Sequence, residues 1–233
     1  MKHPPSNKTR GFTLIEILVV VAIIGFLAAL SIPAINATMK RAQNVKSINN
    51  LRHISTLSAL YTADNNGTFL PGKFWNDSNA SFHQWQVALA QYITKQQING
   101  IWELPNFATT PLRMKSEFAI LASPSFKLDP NAFWETGYGI NMSIGLPEDI
   151  RPNTEESWGR MYRTSEVTAL SKRPLIFDWP IWNAHSSFTS ADYAKALEPY
   201  GQINILFCDG HVGSVKKADE ATFKKMIEDP NSI

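Results

Sequence analysis

The chain has 233 residues, 44% hydrophobic and 18% charged, with one cysteine, a composition that excludes disorder, low complexity and an intrachain disulfide. Its net charge of +2 belongs to the amino terminus, where Lys2, Lys8 and Arg10 lie among eleven residues that hold no Asp or Glu. Taking these three from 22 basic residues leaves 19 against 20 acidic ones, so the remainder lacks the basic surplus that a nucleic-acid binder needs.

In chain order, the first feature is an uncharged run of 23 residues, Ile17 to Met39. As a helix it spans ~35 Å at ~1.5 Å per residue, enough to cross a hydrocarbon core of ~30 Å. The basic residues before it favour a cytoplasmic amino terminus, with Lys40 and Arg41 as a partial counterweight beyond it. The run is longer than the apolar region of a secretory signal peptide. A plain signal anchor fits the length but leaves Glu16, at its start, without a reason. A carboxylate in a membrane segment is costly and is by default functional with a partner, the plainer alternative being a side chain that reaches the headgroups.

Gly11-Phe12-Thr13-Leu14-Ile15-Glu16, with a basic leader before it and the apolar run after it, resembles the processing site of type IV prepilins and type II secretion pseudopilins. The resemblance implies that a prepilin peptidase cuts between Gly11 and Phe12 and methylates the new amine on Phe12. Glycine before the bond has no Cβ, so the peptidase meets a narrow backbone. Glu16 lies one helical turn beyond Phe12 and can reach the amine of its own chain. The resemblance implies instead that it pairs with the amine of a neighbouring subunit and sets the register of a filament. Gly25 and Pro33 are expected to interrupt the helix. Two readings of Pro33 stand: a place where the helix extends during assembly, as the resemblance implies, or a bend at the membrane exit.

The helix is expected to continue to about residue 65, because no Gly or Pro follows until Gly67. Val45, Ile48, Leu51, Ile54, Leu57 and Leu60 recur every three residues, and such a stripe winds about a helix with 3.6 residues per turn. That pattern fits packing on more than one side, with burial in one domain as the alternative. Asp64-Asn65-Asn66-Gly67 is a stop signal. Phe74–Ile93 is a second helical candidate, with Trp85, Leu89 and Tyr92 at helical spacing. Prolines punctuate residues 94–160 into short apolar pieces. The tryptophans in or near this region, Trp75, Trp85, Trp102, Trp134 and Trp158, serve a core or, less simply, bind sugar.

Leu175–Trp179 reads as a buried strand. Ile203–Cys208, Asp209-Gly210 and His211–Val215 read as a hairpin with a type I′ turn, and Cys208 as a small buried strand residue. Ala218–Ile227 closes the chain as an amphipathic helix. Asn204–Val212 resembles the carboxy-terminal signature of a large group of bacterial prepilin-like proteins, defined by a His, nine residues and Asp-Gly. Tyr138-Gly139-Ile140-Asn141 and Phe177-Asp178 resemble inner motifs of that group. The residue ten before Asp209 is Pro199, so the role of the family's histidine is not carried over, and Asp209-Gly210 is read as turn geometry. The alternative is a calcium or polar-ligand site near Asp178, Asp209 and His211.

The expected fold is α+β, pilin-like, with a long amino-terminal transmembrane helix packed on a small antiparallel sheet and irregular loops. Residues 1–11 form the leader, 12–65 the helix, with its membrane part at about 15–39, and 66–233 the extracytoplasmic domain. The expected function is a structural subunit of a pilus or pseudopilus, anchored in the bacterial inner membrane with its carboxy-terminal domain outside. No resident cofactor is expected. The implied partners are the prepilin peptidase, related subunits, the inner-membrane assembly platform and lipid. No catalytic constellation is legible. A rival reading, a membrane-tethered protein that captures an extracellular polymer or carbohydrate, uses the same amino-terminal segment as export route and anchor.

Overall fold

The computed structural model describes residues 13–70, 73–76, 81–95, 116–126, 136–141, 162–180, 183–184 and 188–228. For 73–76, 81–84, 116–117, 183–184, 218 and 228 only the backbone is considered. The chain divides into two compact units, Met1–Ala42 and Gln43–Ile233. Helix α1 (Leu14–Asp64) supplies the described part of the first unit and opens the second.

In the first unit, α1 is apolar and wholly exposed, long and apolar enough to cross a membrane. The helix runs through Gly25 and Pro33 without a break, contrary to the interruption expected at both. Proline removes one donor, so the Ala29 carbonyl loses its usual partner while the rest of the ladder persists. Around it the Ser31 hydroxyl donates to the Leu27 carbonyl at 2.8 Å and the Thr38 hydroxyl to the Ala34 carbonyl at 2.9 Å. Both bonds satisfy polar groups within the helix itself, which apolar surroundings demand.

In the second unit, the buried face of α1 consists of Ser47, Asn50, Leu51, Ile54, Ser58 and Tyr61, at helical spacing. Of the hydrophobic stripe read from the sequence, only Leu51 and Ile54 are fully buried, whereas Val45 and Leu60 are exposed. The stripe does wind out of the domain, and polar residues complete the buried face. The helix ends as expected: Asn66 and Gly67 take positive φ, and the Asn65 and Gly67 amides donate to the Tyr61 and Thr62 carbonyls.

The expected helix at Phe74–Ile93 is half strand. β1 (Lys73–Asn76) and β2 (Ser81–Gln84) form a two-stranded antiparallel ribbon, and α2 begins only at Trp85, ending at Thr94. Aromatic residues occupy facing positions, Trp75 opposite Phe82, and such residues favour strand. Trp85 and Leu89 in α2 are fully buried.

The main sheet contains β3 (Tyr138–Asn141), β4 (Pro174–Asp178), β5 (Asn183–Ala184), β6 (Gln202–Phe207) and β7 (Val212–Lys216), in the order β5-β3-β4-β6-β7. Its four longer strands are antiparallel, as expected. The two-residue β5 adds a parallel edge to β3 that the sequence reading lacks. Strand β4 is buried along its whole length and β6 nearly so. One core cluster includes Leu51, Ile54, Trp85, Leu89, Phe118, Tyr138 and Leu206; a second joins Phe177, Trp179, Tyr193, Ile205 and Phe223.

Helix α3 (Ser190–Leu197) is absent from the sequence reading. It starts with a capping box: Thr189 Oγ1 accepts from the Asp192 amide at 3.3 Å, and Asp192 accepts from the Thr189 amide at 2.8 Å. The Thr189 bonds hold the Asp192 carboxyl below its ordinary range. Helix α4 (Glu220–Glu228) follows a 3₁₀ turn at Lys217–Asp219 and buries Phe223 and Ile227, so the expected closing helix is present.

Candidate functional site

Gly11 and Phe12, the expected processing residues, lie outside the described residues. The structure begins at Thr13, which caps α1. The Thr13 amide and hydroxyl both donate to Glu16 Oε2 at 2.8 Å, and the Glu16 amide returns a bond to Thr13 Oγ1 at 3.3 Å. This is a capping box of the form Thr-x-x-Glu, legible in the sequence yet missing from the reading above. It gives Glu16 a local structural role at the head of α1. Oε2 takes both bonds, and no bond to Oε1 is recorded among the described residues. The positive end of the helix dipole also favours a carboxylate here.

Asp209 and Gly210 do form the turn between β6 and β7, but not a type I′ turn. Neither Cys208 nor Asp209 has positive φ; only Gly210 does, at 92°. The Gly210 amide donates to the Phe207 carbonyl and the Phe207 amide to the His211 carbonyl, both at 2.9 Å. The result is a three-residue loop closed by a glycine bulge. Cys208 therefore stands in the turn rather than in a strand, and burial pushes its thiol up to about 12.

Asp209 Oδ1 accepts from the His211 amide at 3.1 Å and lies 2.6 Å from His211 Nδ1. Partial burial pushes the Asp209 carboxyl up, but the bonds from His211 together hold it below its ordinary range. The His211 ring stacks on Phe207 with centroids 4.3 Å apart.

The turn is fastened to α1 by the Ser55 hydroxyl, which donates to the Gly210 carbonyl at 2.9 Å. A Cβ on Gly210 would lie 3.1 Å from Ser55 Oγ. Glycine is thus required twice, for its φ and for its proximity to the helix. Replacing Gly210 by Ala is expected to lower stability by about 1–2 kcal/mol. Adding Ser55→Ala relieves the crowding but also removes the bond that fastens the turn, so the double variant should stay below wild type. Chemical denaturation of both variants measures this, and a Gly210→Ala protein as stable as wild type would refute it. An open cavity of about 350 Å³ lies beside the turn, lined by Ser55, Ala59, Thr62, Phe69, Leu206 and Cys208 among others.

Asp178 does not join Asp209 and His211. Pro174, at the far end of β4, faces Phe207, whereas Phe177 faces Ile205, so Asp178 sits several residues along the strand from the turn. Among the described residues no group of three or more His, Cys, Asp or Glu side chains is placed to hold a metal ion.

Asp178 is instead the centre of a buried polar network at 1% exposure. Its Oδ1 accepts from the hydroxyls of Ser47 at 2.8 Å, Ser123 at 2.7 Å and Ser125 at 3.0 Å. Its Oδ2 accepts from Asn204 Nδ2 at 2.8 Å, and that amide also donates to Asn44 Oδ1 at 2.8 Å. The Tyr138 hydroxyl lies 3.2 Å from Ser47 Oγ. Burial raises the Asp178 pKa above its ordinary 3.8, because loss of hydration outweighs these four donors. The network ties α1, β4, β6 and the segment after Leu121 together. An acid inside the apolar string Leu175–Trp179 was its one signal in the sequence; its serine partners carried none.

Residues 6–32 match the model of the prokaryotic N-terminal methylation motif. The amino-terminal part of this chain is therefore prepilin-like, and the long apolar helix with its small sheet is the α+β arrangement of that class. In particular, the chain is 37% identical over 60 residues to type II secretion system core protein G of Escherichia coli, covering 26% of this chain and 41% of that one. It is 44% identical over 60 residues to the type IV wide pilus major component PilA4 of Thermus thermophilus, covering 26% and 46%. It is 46% identical over 56 residues to the type IV major pilin protein PilA of Myxococcus xanthus, covering 24% and 23%. The aligned segments thus span less than half the length of these relatives. No solved structure matches the chain.

Proposed function

We propose that this chain is a structural subunit of a type IV pilus-like or type II secretion pseudopilus filament. A prepilin peptidase cuts it between Gly11 and Phe12 and methylates Phe12, and the exposed apolar helix then carries it into the filament. The observation behind this reading is the methylation motif at residues 6–32, which holds the Thr13–Glu16 box at the head of α1 and the apolar part of that helix, where no face is covered. The amino terminus faces the cytoplasm and the carboxy-terminal domain lies across the inner membrane. Pro33 is the place where the helix bends or extends during assembly. Related subunits, the assembly platform and lipid are the other partners, and the reading needs no cofactor. Trp85, fully buried, is unavailable to capture a polymer, while the side chains of Trp75, Trp102, Trp134 and Trp158 lie outside the described residues.

The test is the intact mass of the full chain recovered from membranes that contain an active prepilin peptidase. Loss of residues 1–11 with one added methyl group is expected; a retained leader refutes the reading. For Glu16, two substitutions separate capping from pairing. Glu16→Gln keeps an acceptor for Thr13, whereas Glu16→Ala keeps neither acceptor nor charge. Both variants are expected to be processed and to yield at least ten times less sheared filament, an effect that costs about 1.4 kcal/mol in assembly or more. Normal yield from Glu16→Gln would show that the charge does not set the register.

A further inference from the structure

Met39 ends the uncharged run, and Lys40 and Arg41 follow it at once. Both are helical and exposed, and no ion pair or hydrogen bond to either is recorded among the described residues. No Asp or Glu occurs between Glu16 and Asp64, so α1 supplies no carboxylate near them. Removal of residues 1–11 would take away Lys2, Lys8 and Arg10, leaving this pair as the fixed basic side chains nearest to the apolar segment. A long cationic side chain at the end of an apolar helix lays its stem along the helix and holds its head at headgroup depth. The Arg41 guanidinium matches a phosphodiester through two parallel bonds, and the Lys40 ammonium adds a mobile point charge.

We propose that Lys40 and Arg41 bind the phosphates of anionic phospholipid on the side of the membrane that carries the globular domain. The contact fixes the depth of the subunit before it enters a filament. This inference rests on the membrane-spanning reading above. It adds a specific ligand class, a lipid with net negative charge rather than any polar lipid, because a zwitterionic headgroup offers the same phosphate with its own cation attached. Each cation contributes about fivefold to the preference for anionic lipid.

The test uses the full chain reconstituted in nanodiscs of equal parts phosphatidylglycerol and phosphatidylcholine, followed by native mass spectrometry of the lipids that stay bound. Wild type should retain phosphatidylglycerol preferentially, and Lys40→Gln/Arg41→Gln should reduce the preference roughly twenty-five-fold, with unchanged thermal unfolding of the globular unit. Equal retention of the two lipids by wild type overturns the proposal, as does an undiminished preference in the double variant. If the double variant keeps the lipid preference but assembles poorly in cells, the pair serves a protein partner and the proposal is again overturned. Failure of wild type to enter the nanodisc overturns both this inference and the membrane-spanning reading, whereas insertion without a lipid preference overturns this inference alone.

Discussion

Replacing Asp178 by Ala should destabilise the globular unit by about 2–4 kcal/mol, because four donors lose their common acceptor inside the domain. Ser47, the Ser123 and Ser125 pair, and Asn204 come from separate parts of the chain, and none of them replaces the carboxylate for the rest. Asp178→Asn should cost less: it keeps one carbonyl acceptor, and the hydroxyls can turn to accept from its amide. Guanidinium unfolding of the full chain in detergent, followed by tryptophan fluorescence, measures both. Asp178→Ala as stable as wild type would show that the network is incidental.

The same residue predicts an unusual pH dependence. Its folded pKa is raised, so the folded state favours the protonated form. The corresponding stability is fully present below the unfolded value near 3.8 and is lost as pH rises through the higher folded value. Against the wild-type curve, Asp178→Asn should therefore lose least, or gain, at the upper end of that window. Parallel curves for the two proteins across the acid range would refute the assignment.

The second large effect concerns Trp179. Its ring meets Phe177 edge-on at 5.5 Å and Phe188 at 5.3 Å, and it lies 5.9 Å from Phe223 in α4. Trp179→Ala removes a fully buried indole between sheet and helix, and about 3–5 kcal/mol of stability should go with it. Trp179→Phe, which refills most of the space, should recover more than half of that loss. A change below about 1 kcal/mol in the alanine variant would mean that the second core cluster closes over the gap.

Several elements were legible because one local signal sufficed. The uncharged run, the Asp64–Gly67 stop, the apolar β4 and the amphipathic α4 each declare themselves within a short stretch of neighbouring residues. Others failed where two local rules competed. Phe74–Ile93 contains helical spacing, but its first half pairs as β1 and β2, and the aromatic strand preference prevailed there. Asp-Gly does mark a turn, yet a third residue enters the loop and moves the glycine to the bulge position. The capping boxes at Thr13–Glu16 and Thr189–Asp192 were both readable; without the second, α3 went unrecognised.

By itself the sequence determined the amino-terminal half of α1: an uncharged run of that length, with a charged leader and Glu16 at its head, has few physical solutions. It also determined that a small sheet and a closing helix would follow. What only the tertiary structure decided is the polar interior. Ser47 looks like a solvent-facing helix residue, and Ser123 and Ser125 like loop, until the fold places a buried carboxylate among them. Hydrophobic periodicity is written in neighbouring residues, whereas this network bonds Asp178 to a serine 131 positions away. The cost of burying Asp178 without water exists only once those segments meet, and no local pattern can announce it.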